Sequence, residues 1–279
     1  MLAEALLYAR ARLSGQRNPH GHLTELVGIW ARHRRQRHAW AGHLARARVL
    51  CLKAAEACES RRTALVLGAG LLLDVPLERL SALFERVVLA DLAFLPGTIG
   101  LAHSLGNVEL KVADLSACMD ALPGNDALAA GARAPEADLS LGLADLDFAY
   151  SANLLSQLPL YALTALRKRH PAPPDEDAEA FAASMVGAHL RALCALPCPA
   201  CLVTDTRERG LRGGEPKYEG DLLHGQGQLL RGETWTWRLA PRGEADPALD
   251  IERSVLGVAD LRAGLHDDRL RQAEGAPHG

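Results

Sequence analysis

Thr63-Ala64-Leu65-Val66-Leu67-Gly68-Ala69-Gly70 is the stretch that decides the fold. A short, uncharged apolar run entering two glycines reads as a strand buried on both faces, followed by a tight turn. Downstream, Pro76 to Phe84 starts on proline and carries Leu77, Leu80 and Leu83 on one helical face. Arg86-Val87-Val88-Leu89-Ala90-Asp91 repeats the buried-strand pattern and ends on an acid, 21 residues after Gly70. Pro96 to Leu105 reads as a second helix and Asn107 to Asp114 as a third strand. Strands alternating with helices imply right-handed crossovers and a parallel sheet, so the expected class is α/β.

Further along, 116–144 is irregular, with loop signals at Pro123-Gly124-Asn125-Asp126 and Ala134-Pro135. Leu146 to Asn153 reads as a fourth strand, Arg167 to Asp177 as a proline-rich linker, Ala178 to Leu196 as a helix, and Ala200 to Asp205 as a fifth strand. Thr234 to Leu239 and Ile251 to Val258 alternate and are separated by Pro241-Arg242-Gly243 and Asp246-Pro247, a hairpin with a long loop.

Upstream of the first strand the character changes. Residues 1–62 hold 12 Arg or Lys against 4 Asp or Glu, while the whole chain has a net charge of −3. A basic leader is thus joined to an acidic body. Leu2, Leu6 and Leu7 suggest a short helix, Ser14 to Gly21 a loop, and Leu23 to about Cys58 a long helical stretch. Within it, Arg32-His33-Arg34-Arg35-Gln36-Arg37-His38 is charged all round, either solvated or marking a bend. The expected division is a helical extension or lid over 1–62, an α/β domain over 63–265 and a polar tail over 266–279.

Composition bounds the function. At 279 residues and 48% apolar, the chain can bury a large core, mostly of Leu, Ala and Val because aromatics are only 4%. No apolar run reaches the roughly 18 residues of a membrane span. Met1 to Arg12 lacks the apolar segment of a signal peptide, and six unevenly spaced cysteines read as thiols of a reducing compartment, so a cytoplasmic protein is expected. Cys194, Cys198 and Cys201 are spaced as metal ligands or a redox pair, yet no second CxxC accompanies them; buried structural thiols are expected. His20-Gly21-His22 is likewise read as part of a polar loop rather than a metal site, with Arg17 as an anion-binding member should that loop close over a ligand.

A glycine turn after the first strand and an acid at the tip of the second is the arrangement of a nucleoside site. Glycines admit a cofactor close to the backbone, and the acid accepts ribose hydroxyls. From about Ala64 to Leu261 the chain resembles the class I S-adenosylmethionine-dependent methyltransferases. Leu65 to Gly70 looks like that family's first motif, Val88 to Asp91 like its second, and Val112-Ala113-Asp114-Leu115 like the third-strand segment whose acid faces the adenine amino group. Tyr150-Ser151-Ala152-Asn153-Leu154-Leu155-Ser156-Gln157-Leu158-Pro159 is similar to its fourth-strand exit.

The resemblance implies a Rossmann-like, mostly parallel seven-stranded sheet in the order 3-2-1-4-5-7-6 and S-adenosylmethionine as cofactor. It puts Gly68, Ala69, Gly70, Asp91, Leu92, Asp114, Leu115 and Ser151 on the cofactor side. Asn153, Tyr150 and His224 are the acceptor-side candidates. Asn153 either orients an acceptor through its amide or caps the helix that follows. His224 is either a general base or a surface-loop residue in a polar loop with Tyr218. Two positions depart from the family pattern: Val66 stands where an acid is usual, and Leu72 where a third glycine is usual. Asp74 replaces the acid only if its loop bends back. A dinucleotide-dependent oxidoreductase fits no better, since its third glycine would be Leu73. Two other readings stand beside methyl transfer: a non-catalytic cofactor-binding scaffold, and a nucleic-acid adaptor using Arg32, Arg34, Arg35 and Arg37.

Overall fold

The computed structural model describes residues 2–18 and 21–264. His20 and the 266–279 tail, both singled out above, lie outside the described residues. β1 (Thr63–Leu67) is buried at every position, as a central strand with helices on both faces requires. β2 (Arg86–Asp91) and β4 (Leu146–Ala152) flank it in parallel, with β3 (Val108–Val112) beyond β2 and β5 (Ala200–Arg212) beyond β4. The hairpin of β7 (Glu233–Ala240) and β8 (Asp250–Val258) closes the far edge, with β8 antiparallel to β5. The sheet runs β3-β2-β1-β4-β5-β8-β7.

Among the described residues there are eight strands rather than the expected seven. The extra one is β6 (Glu215–Asp221), which pairs antiparallel with the second half of β5. The fifth strand, expected to stop at Asp205, continues to Arg212. Tyr218, expected in a loop, is therefore a β6 residue. With β6 set aside, the order matches expectation, the hairpin strands taking the last two places.

Helices cover both faces. α1 (Leu2–Leu13) and α2 (His22–Glu56) form the leader. α2 breaks at Gln36, whose φ of −107° and ψ of 18° are non-helical. Both readings offered for the charged stretch hold: it bends at Gln36, and Arg34, Arg35, Arg37 and His38 are exposed. Beyond the bend, Trp40, Leu44, Ala47, Leu50 and Cys51 pack into one core with β1, β2, the hairpin, α3 (Leu77–Leu83) and α4 (Pro96–Leu105). The second half of α2 is thus part of the α/β core, not a separate appendage. The opposite face is covered by α5 (Asn125–Ala129), α6 (Leu158–Arg167), α7 (Asp175–Cys194) and α8 (Leu261–Gly264).

The first half of α2 behaves differently. Leu23 and Val27, with Ala11 of α1, bury against Ala93 and Leu95 in a small cluster of their own. Those two residues follow β2, so α1 and the start of α2 sit over the carboxyl edge of the sheet. Asn18 fixes the entry to α2, its Oδ1 accepting the Leu23 N–H at 2.9 Å. Gln16 Oε1 accepts the Phe94 N–H at 2.9 Å, tying the loop to the sheet edge.

Candidate functional site

At the end of β1, Gly68 and Gly70 have positive φ, 77° and 38°. The Gly68 and Ala69 amides both donate to the Ala90 carbonyl, which holds the turn against β2. Asp91, the last residue of β2, reaches across: its Oδ2 accepts the Gly70 N–H and its Oδ1 the Leu92 N–H, each at 2.7 Å. Burial lifts the Asp91 carboxyl to about 6, against the pull of these amides. Thr98 of α4 donates its hydroxyl to the Gly70 carbonyl. Gly68, Ala69, Gly70, Asp91 and Leu92 therefore form one assembly at the carboxyl end of a parallel sheet, beside its first strand.

Asp114 and Leu115 follow β3. Both Asp114 oxygens are engaged within its own turn, Oδ1 by the backbone and hydroxyl of Ser116 and Oδ2 by the Met119 N–H. Leu115 is buried in the α7-side core. Ser151 is fully buried, and its hydroxyl has no hydrogen-bond partner among the described residues. Register pairs it with Leu67 and Leu202, so it lies near the strand tips.

The acceptor-side candidates are not brought together. Tyr150 is buried in the core beneath α2, its hydroxyl donating to the Asp74 carbonyl at 3.4 Å. Desolvation drives its phenol upward, out of reach of proton transfer at neutral pH. His224 is held against α7, with Nδ1 2.7 Å from Glu179 Oε2, on the other side of the sheet from Tyr150.

Asn153 neither caps the following helical turn nor faces outward. Its Oδ1 accepts the Asp205 N–H at 3.0 Å, and its Nδ2 donates to Asp205 Oδ2 at 3.4 Å, locking β4 to β5. The backbone pays with a φ of 47°.

Sequence reasoning missed what Asn153 holds. Asp205 is fully buried, and its Oδ2 lies 2.6 Å from Arg253 Nη1. Arg253 continues to Glu208 at 2.8 Å. Desolvation raises the Asp205 carboxyl, while Arg253 opposes that rise. The signal was present: Asp205 ends the apolar part of its strand just as Asp91 does.

The basic stretch of α2 faces the acidic body. Arg35 pairs with Glu244 at 2.6 Å and with Glu4 at 3.5 Å, and Arg32 lies 3.8 Å from Glu244. Arg34 sits over the Trp30 ring, and Arg17 and Arg37 are exposed. A groove of about 600 Å³ runs between α2 and β7, lined by His43, Arg46, Trp235 and Arg238 among others, and holds none of the residues at the strand tips. All six cysteines are buried, and among the described residues no cluster of metal-binding side chains occurs. No described helix is long and apolar enough to cross a membrane.

A glycine turn, a strand-tip acid and a sheet ordered β3-β2-β1-β4-β5-β8-β7 with β8 reversed complete the pattern. This is a Rossmann-like sheet in the strand order that the resemblance to the class I methyltransferases implies. No protein-family model and no curated protein matches the chain. Among solved structures, similar chains include the DhpI–SAH complex (18% identical, covering 82% of this chain and 93% of that one, TM-score 0.35). Another is a Burkholderia thailandensis 1,6-didemethyltoxoflavin-N1-methyltransferase with bound 1,6-didemethyltoxoflavin and S-adenosylhomocysteine (17%, 88% and 92%, TM-score 0.35). A third is the N-methyltransferase NodS from Bradyrhizobium japonicum WM9 with S-adenosylhomocysteine (13%, 92% and 96%, TM-score 0.34). Likenesses of this size add no weight to the strand order.

Proposed function

We propose that the chain transfers a methyl group from S-adenosylmethionine to a small acceptor. The observation that carries this reading is the Gly68–Gly70 turn bonded to Asp91 at the carboxyl edge of a methyltransferase-ordered sheet. The residues fit such a cofactor. A β-carbon at Gly70 would stand 3.5 Å from Asp91 Oδ2, so glycine keeps the approach to that carboxylate open. The unpartnered Ser151 hydroxyl offers a donor near the strand tips.

When bound, S-adenosylmethionine supplies an already activated methyl group. The protein's task is then alignment and water exclusion more than acid–base chemistry. Asp91 accepts the ribose hydroxyls with the lone pairs left over from Gly70 and Leu92, since a carboxylate has about four acceptor sites. α1 and the first half of α2 roof the turn, which suits a small acceptor better than a macromolecular surface. Six buried thiols fit a cytoplasmic setting.

Calorimetric titration of the purified chain with S-adenosylmethionine and S-adenosylhomocysteine, with NAD as control, tests the reading. Micromolar binding of the first two, lost in Asp91→Ala, is expected. Binding of neither overturns it.

A second reading is a cofactor-binding scaffold without turnover. It is favoured by Val66 and Leu72 and by the separation of Tyr150 from His224. Binding with no methyl transfer to amine, hydroxyl, thiol or carbon acceptors would select it.

A further inference from the structure

Val66 leaves the end of β1 without a carboxylate, but the loop that follows brings one back. Leu72, with φ of 58°, turns the chain, and two contacts pin the returning segment. Tyr150 donates its hydroxyl to the Asp74 carbonyl, and Arg48 of α2 donates to the Leu73 carbonyl. Val66 and Tyr150 are register partners on adjacent strands, so their side chains share a sheet face. Asp74 therefore lies on the face, and near the strand end, where β1 itself offers only valine.

The carboxyl of Asp74 is unusually placed. No cation lies within ion-pair distance of it among the described residues, Arg48 acting on it only through its field. The residue is not sealed off, since part of its surface reaches solvent. A second, independent feature points the same way. Asp205, close enough for its charge to act on Asp74, is fully buried and has one oxygen, Oδ1, without a hydrogen-bond partner among the described residues. Asp205 has Arg253 as its cation, which also reaches Glu208, whereas Asp74 has no cation in contact with it. A largely desolvated carboxylate is stable only when paired, so the recess at Asp74 favours a cation.

We propose that Asp74 receives the ammonium group of the ligand bound at the glycine turn. On the functional reading above, which this inference depends on, that group belongs to the amino-acid end of S-adenosylmethionine. Asp74 then does from the loop what a carboxylate at position 66 would do from the strand. Asp205 is a positioning neighbour that keeps the recess negative, and Asn153 holds Asp205 in place.

The test uses two ligands on the full chain, followed by calorimetry. One is S-adenosylhomocysteine; the other is its analogue that keeps the carboxylate and lacks only the amine. The wild-type chain is expected to prefer S-adenosylhomocysteine by about tenfold or more, the scale of one charge-assisted hydrogen bond. In Asp74→Asn that preference should collapse to within about twofold, with affinity for the amine-free analogue unchanged, which also certifies the fold. Asp74→Glu should restore part of it. An Asp74→Asn protein that keeps the full preference overturns the assignment. Should that variant fail to fold, the wild-type comparison still decides, because indifference to the amine overturns the proposal. Binding of neither ligand by wild type overturns the functional reading itself, an outcome distinct from the other two.

Discussion

At Gly68 a β-carbon would stand 2.8 Å from Leu154 Cβ and 3.1 Å from the Ala152 carbonyl, both beyond easy adjustment. At Gly70 the nearest atoms are 3.4 and 3.5 Å away, the first the end of the Leu26 side chain. Both glycines have positive φ, costing a larger residue roughly 1–2 kcal/mol. Gly68→Ala adds a backbone collision to that cost and Gly70→Ala does not. The first is expected to lower the melting temperature clearly more than the second, and equal shifts would contradict the geometry. Asp91 and the glycines were legible because each marks the end of an all-apolar run. Asn153 was not, because a polar residue after a strand reads equally as a cap or a site, and only tertiary contact reveals its bond to Asp205.

Elements differ in how plainly the sequence announces them. β1, β2 and β4 show themselves as buried apolar runs. α6 is hidden by Leu158-Pro159, which reads as a break although proline is tolerated in a first helical turn. The second half of β5 and all of β6 carry Arg207, Glu208, Arg209, Lys217 and Glu219 with little burial, so backbone pairing alone makes them strands and no apolar period reports it.

α2 is two elements in function. Before Gln36 it joins a small cluster at the sheet edge, and after Gln36 it is core. A chain lacking 2–35 is therefore expected to melt cooperatively, at a lower temperature. One lacking 2–56 should not fold, because each buried leucine lost from a core costs about 2–5 kcal/mol. Circular dichroism melts distinguish the two, and a folded 57–279 protein would contradict the assignment of α2 to the core. The exposed Arg35–Glu244 pair adds at most about 1 kcal/mol to holding the first half down.

Across the whole molecule, buried titratable groups set the response to acid. His43 stacks on Trp237 at 4.1 Å and accepts the Trp235 indole N–H, and burial lowers its pKa from 6.5 to about 4. The folded state then binds fewer protons than the unfolded chain between those values, so this histidine's contribution to stability is lost as pH falls from about 6.5 to 4. Its size is up to roughly 3 kcal/mol. His43→Phe forfeits the Trp235 hydrogen bond at every pH but removes the titration. Relative to wild type, its stability in urea should rise as pH falls through that window, and parallel pH curves for the two proteins would refute the assignment.

The hydrogen bond from the Trp40 indole to the Leu239 carbonyl joins residues 199 positions apart. During synthesis, α2 leaves the ribosome long before the strand it must lie on exists. The part of its apolar face that meets β7 stays uncovered until the hairpin is made. The hairpin thus completes this face in time as well as in space, and a polypeptide released before Leu239 would display the uncovered part to its surroundings.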